Sequence, residues 1–146
     1  MDYAALKTEI DTGPLATECV GQSDDNIAAI LNDPRYMATK ERYVTARTVL
    51  AELGATAGAA ILDKLEAASA QSSPVKWMLR FLTQDSGLDV GQTETQGCID
   101  ALAIAGVLTA DEAAALKSMA LLPTSRAEIL GFGSVSYNDI NKARAL

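Results

Sequence analysis

Histidine is absent from this chain. That removes the commonest general base and metal ligand, and with them every Ser-His or Cys-His nucleophile pair. Cysteine is almost as scarce. Cys19 and Cys98 stand alone in no CxxC spacing, and two cysteines make neither a metal site nor a disulfide framework. Aromatic residues supply only 5% of a composition that is 49% hydrophobic, so alanine carries much of the apolar content. Small side chains let helices approach closely but give each contact little area, so partners are expected to contribute to stability. No uninterrupted apolar run approaches the ~18 residues of a membrane span. No basic leader followed by an apolar stretch opens the sequence. The protein is therefore expected to stay where it is made, or to travel inside an assembly, without a membrane.

Chemistry is also missing from the motifs. Gly131-Phe132-Gly133 lacks both the third glycine of a dinucleotide fingerprint and the Gly-Lys-Ser/Thr of a P-loop. The adjacent acids Asp24-Asp25 and Asp111-Glu112 fall in the first turns of predicted helices, where the helix dipole and capping account for them. No calcium loop and no internal repeat occurs. The reading is of a protein that is not an enzyme and holds no cofactor or metal.

What is present is acidity, unevenly distributed. The net charge is −7, which opposes direct nucleic-acid binding. Residues 1–33 carry seven acids against Lys7 alone, and Thr83 to Glu112 carries six acids and no base. Between them Arg35, Lys40, Arg42 and Arg47 face only Glu41. Such zoning is either a solvated surface or a device that steers subunits into register.

The periodicity is helical. Asp2 precedes Tyr3, Leu6 and Ile10; Ser23 caps a helix over 24–31; Asn32-Asp33-Pro34 stops it, and 33–39 reads as an extended surface connector. Residues 40–53 read as helix on the spacing Tyr43, Ala46, Leu50 and Leu53, with Gly54 as its stop. A helix over 57–68 follows, and Pro74 opens Val75 to Leu82, apolar on two faces. Trp77 and Phe81 form the second face, so this helix is either the centre of the core or a contact with another chain. Asp85 to Gly91 is a loop. A helix over 92–105 carries Cys98, Ile99, Leu102 and Ile104, and Thr109 to Glu112 matches a capping box. The tail, 122–146, combines the box Ser125 to Glu128, the Gly131/Gly133 turn with Phe132 as a plug, and Ser136 to Asp139. It resembles a helix-turn-helix in outline, but its last helix opens on Tyr137-Asn138-Asp139, too little positive charge for a recognition helix. The expected fold is all-α, a single domain over 1–146, a compact bundle of about seven short helices ending in a glycine-hinged pair.

Four segments together resemble small proteins of tailed bacteriophages, encoded among virion genes. They are Tyr3 to Ile10, Pro14 to Thr17, Gly21 to Asn32, and Thr124 to Ser136. No matched motif is catalytic, so the resemblance implies a context and not a site. The chain departs from the family's proline-rich connector at 33–40. On this basis the protein is expected to be a structural or assembly component of a tailed-phage virion, at tail, neck or capsid, made in the host cytoplasm. Its expected partners are other virion proteins, or copies of itself. Trp77, Phe81, Leu82 and Phe132 are the candidate apolar contacts, and Arg35, Arg42 and Arg47 the candidate steering charges. The alternative is a small phage-encoded inhibitor or regulator that binds a host protein, which early rather than late synthesis would mark.

Overall fold

Side-chain caps decide where the helices begin. In the computed structural model, which describes all 146 residues, Asp2 accepts hydrogen bonds from the Ala4 and Ala5 amides and starts α1 (Tyr3–Thr12). Ser23 caps α3 (Asp24–Asn32), which follows the single-turn α2 (Ala16–Cys19). Reciprocal capping boxes at Thr109/Glu112, Ser125/Glu128 and Ser136/Asp139 open α8 (Ala110–Ser118), α9 (Arg126–Ile129) and α10 (Tyr137–Arg144). Gly131 and Gly133, between the last two, both have positive φ, as their place in a tight turn requires.

The chain is largely helical, with ten helices, two of them of only four residues, and four brief strands in two two-stranded sheets. No helix is long and apolar enough to cross a membrane. The helix count exceeds the expected seven because single turns such as α2 and α9 form where local caps suffice, and the strands make the fold less than purely α. One strand, β1 (Tyr36–Thr39), occupies the predicted connector and pairs with β4 (Leu121–Thr124).

Residues 40–53 do not form one helix. Tyr43 and Val44 form β2, antiparallel to β3 (Leu88–Asp89), with Tyr43 opposite Asp89 and Val44 opposite Leu88. The Asp89 carboxylate accepts from the Arg42 amide at 2.9 Å and from the Gly91 amide at 2.9 Å, holding the segment extended. Helix α4 starts only at Ala46, behind a Thr45/Thr48 capping box, and runs to Leu53. Its buried residue is Val49, whereas Tyr43 and Leu50 are exposed. The helical spacing of Tyr43 with Ala46 was a coincidence of period; long-range capping by Asp89 overrides it.

The chain falls into two compact units, residues 1–38 with 123–146, and residues 39–122. Each has its own core. In the first, Leu6, Ile10, Ile27, Leu31, Ile140 and Ala143 pack together, with Phe132 half-buried against them. Polar clamps join the two chain ends within this unit. The Asn32 side chain donates to the Val135 carbonyl at 2.7 Å and accepts from its amide at 3.0 Å, as a neighbouring strand would. The Arg126 guanidinium grips both Glu9 carboxylate oxygens, at 2.8 and 3.0 Å, and this hydrogen bonding raises the arginine pKa.

The second unit packs α4, α5 (Ala55–Ser69), α6 (Ser73–Leu82), α7 (Thr93–Ile104) and α8 around Val49, Ile61, Leu65, Met78, Ile99 and Leu116. Gly54, at φ +93°, turns the chain from α4 into α5. Gly58 then lets the two helices touch, since a Cβ there would stand 2.9 Å from the Val49 carbonyl oxygen. Ile104 is 89% exposed, contrary to its expected place on the buried face of α7; Ile99 and Leu102 hold that face. Glu112 closes its own cap and receives Lys64 at 2.7 and 2.8 Å, and the hydrogen bond from Lys64, with the cap, lowers its pKa.

Three outcomes are expected. Arg126→Met strands the buried Glu9 carboxylate and should cost about 3–5 kcal/mol in urea unfolding followed by circular dichroism; a loss under about 1 kcal/mol would place the pair among ordinary surface bridges. Gly58→Ala should destabilise by roughly 1–3 kcal/mol through overpacking, although alanine is favoured over glycine in a helix by about 1 kcal/mol; a stabilised variant would refute the close approach. Glu112 and Asp139 both titrate below the ordinary carboxylate range, Glu112 through Lys64 and Asp139 through the Ser136 hydroxyl. Their stabilisation is present above that range and lost as pH falls through the lowered values. Melting curves of the native protein and Glu112→Gln should accordingly differ near neutrality and converge in acid; a constant gap at all pH values would exclude this linkage.

Candidate functional site

Helix α6 combines a well-filled core face with an outer face that the rest of the unit does not cover. Pro74 sits in its first turn, where the missing amide hydrogen costs nothing, and Arg80 lies in its last turn, where the dipole favours a cation. Val75, Met78 and Leu82 recur at i, i+3 and i+7 and are buried. Trp77 and Phe81, four residues apart on the other side, are 48% and 43% exposed. Their ring centroids lie 6.5 Å apart at an interplanar angle of 37°, and the Arg80 guanidinium carbon stands 5.0 Å from the Trp77 ring centroid. The two rings and the guanidinium thus form one ordered ridge.

At the C-terminal end of α6 lies an open groove of about 420 Å³. Thr45, Ala46 and Arg47 from the start of α4 form one wall, and Leu82, Thr83, Gln84 and Asp85 the other. A second concavity of about 360 Å³, beside the N-terminal end of α6, has mostly apolar walls that include Val75, Leu102 and Cys98. The sulfur there is no ready nucleophile, because burial raises the Cys98 pKa and favours the thiol; the same holds at Cys19. No group of three or more His, Cys, Asp or Glu side chains is placed to hold a metal, and no buried side-chain polar atom lacks a hydrogen-bond partner. Helix α6 offers aromatic area, cationic charge and a groove at its end.

Of the residues expected to form a contact surface, the structure brings Trp77 and Phe81 together and places Arg47 in the groove at the end of their helix. Leu82 does not join them. It is 2% exposed because it completes the inward stripe of α6, and only its backbone neighbourhood reaches the groove. Phe132 belongs to the other unit and packs half-buried against that unit's own core.

Two of the three steering arginines are already held. Arg35 donates to Glu18 at 2.7 Å and to Asp33 at 2.8 Å, and these hydrogen bonds raise its pKa. Arg42 pairs with Glu52 and donates to the Met119 carbonyl at 2.7 Å, which makes it a fastener between α4 and the end of α8. Arg47 is exposed and has no ion pair.

Sequence reasoning passed over Lys76 and Arg80, which are exposed beside the two rings and have no carboxylate partner. A signal for them was present. Positions 76, 77, 80 and 81 form one stripe of a helix, and no acid occurs between Glu66 and Asp85. Comparison with protein-family models, with curated proteins and with solved structures finds no match for this chain.

Proposed function

We propose that this protein is a structural or assembly component of a tailed-phage virion and works by binding other virion proteins, without catalysis. The context comes from the phage-like segments at both ends of the chain. The observation that supports the mode of action is the ordered, half-exposed Trp77–Phe81 ridge on α6. A chain with one tryptophan and two phenylalanines keeps two of those three large rings outside its cores, where buried anchors of a protein contact are typically found among such residues. Isolated exposed apolar side chains need no explanation, whereas two adjacent exposed rings 6.5 Å apart support the reading of a contact.

Mass spectrometry of purified particles should detect the protein alongside the other minor components; its reproducible absence while they are seen would end the virion reading. Within particles, the double variant Trp77→Ala, Phe81→Ala should be incorporated poorly. Loss of a hot-spot pair weakens a contact by about 2 kcal/mol or more, roughly thirtyfold; because each ring is about half-buried, its truncation also costs roughly 1 kcal/mol of folding stability, and circular dichroism checks that the variant is folded. Normal incorporation of a folded double variant would remove α6 from the contact.

A further inference from the structure

Lys76 and Arg80, on the aromatic ridge, are left without carboxylates, as are Lys7 and Lys142 in the other unit, where Lys142 stands 5.5 Å from the Tyr3 ring centroid. Six other cations are consumed internally. Arg35 goes to Glu18 and Asp33, Arg42 to Glu52, Lys64 to Glu112, Lys117 to Asp100, Arg126 to Glu9 and Arg144 to Asp24. Lys76 and Arg80 flank Trp77 and Phe81 on α6, and Arg47 stands in the groove at the helix end, where Asp85 is the only acid in the lining. A protein of net charge −7 thus carries two unpaired cations on the helix of its exposed aromatic pair and a third in the groove at that helix's end. We infer that the α6 face binds an acidic, amphipathic segment of a different protein, with carboxylates set against Lys76, Arg80 and Arg47 and apolar side chains set against Trp77 and Phe81.

The charge pattern selects this occupant over others. A two-fold self-contact through α6 would bring the cations Lys76 and Arg80 of one copy close to those of the other, with no acid on either helix to pair with them. Nucleic acid would meet three cations backed by a strongly acidic chain, too few to hold a backbone whose affinity rests on many neutralised phosphates. An acidic peptide needs only a local cationic ring, and its apolar residues gain the two ring faces as well. An amphipathic segment laid along a helix presents its anchors at i and i+4, the spacing of Trp77 and Phe81.

This inference rests on the proposed use of α6 as a contact, but its test is separate from particle composition. Trp77 is the chain's only tryptophan, so its emission reports this surface alone. The intact protein is titrated with a synthetic amphipathic peptide of Glu and Leu, with its Lys and Leu counterpart, with a duplex oligonucleotide and with anionic phosphatidylglycerol vesicles. The expected result is a saturable blue shift with the Glu peptide only. It should weaken at least about tenfold in Lys76→Glu, Arg80→Glu, and also on raising salt from about 50 to 500 mM, where screening shortens to a few ångströms. Circular dichroism checks that the exposed charge reversals leave the fold intact.

The inference is overturned if the Glu peptide does not bind, if the Lys peptide binds equally well, or if the charge reversals leave binding unchanged. It is likewise overturned if oligonucleotide or vesicles give the shift in place of the peptide. A shift that appears with rising protein concentration alone, matched by dimer formation in sedimentation, would assign the face to a second copy and overturn it too. Failure with the peptide would leave the detection of the protein in particles untouched, and absence from particles would leave peptide binding untouched.

Discussion

The ion pair between Glu9 and Arg126 is the interaction on which the first unit depends. That unit is made of the two ends of the chain, with residues 39–122 folded separately between them, so nothing covalent brings α1 to α9. The carboxylate is 7% exposed and both of its oxygens are engaged at 2.8 and 3.0 Å. A charge buried to that degree is tolerable only with its partner in place. The pair therefore acts as a register mark: hydrophobic packing of Leu6, Ile10 and Ile140 would accept some sliding, whereas a bidentate fork accepts very little. Asn32 adds a second mark through the Val135 backbone, and Tyr3 a third through its hydroxyl to Asp139 at 3.2 Å. Closing the unit by polar clamps suits a chain whose commonest apolar residue is alanine.

The same scarcity of bulk gives α6 its meaning. Alanine-rich helices obtain tight packing from close approach, as α4 and α5 do over Gly58, and so can leave large rings out of the core without leaving a void. In the second unit the inward stripe of α6 is complete with Val75, Met78 and Leu82. Trp77 and Phe81 are additional to it. Their exposure is therefore not a failure of packing, and the cations beside them keep a partly apolar ridge hydrated while it is free.

Much of the local structure was legible, because caps are local chemistry. Asp2, Ser23, Thr109 with Glu112, Ser125 with Glu128, and Ser136 with Asp139 all act within three residues of the helix they open. What was not legible rests on partners far away in sequence. Tyr43 satisfies a helical period with Ala46, but Asp89, 47 residues from Arg42, fixes that stretch as a strand. Arg35 and Arg42 look free in a basic run; Asp33 binds Arg35 from two residues away, but Glu18, its other carboxylate, lies 17 residues away, and Glu52, the partner of Arg42, lies 10 away. The first unit joins chain ends through pairs such as Glu9 with Arg126, 117 residues apart, a pairing no window of sequence contains. For α6, hydrophobic pattern alone could not say which of two apolar faces turned inward, since both have helical spacing.

Charge assigned by pairing, rather than by position along the chain, is what relocates the contact surface. The basic run at 35–47 suggested steering by Arg35 and Arg42, yet a cation committed to a bidentate carboxylate has little field left to offer a partner. Once those commitments are subtracted, the available positive charge of the second unit lies at Lys76, Arg80 and Arg47, partly on the helix that carries the exposed rings. Aromatic area alone would bind many surfaces weakly, and three cations alone would bind many anions weakly. Placed together at fixed helical spacing they require a partner with both features in register, and that conjunction is where specificity would come from.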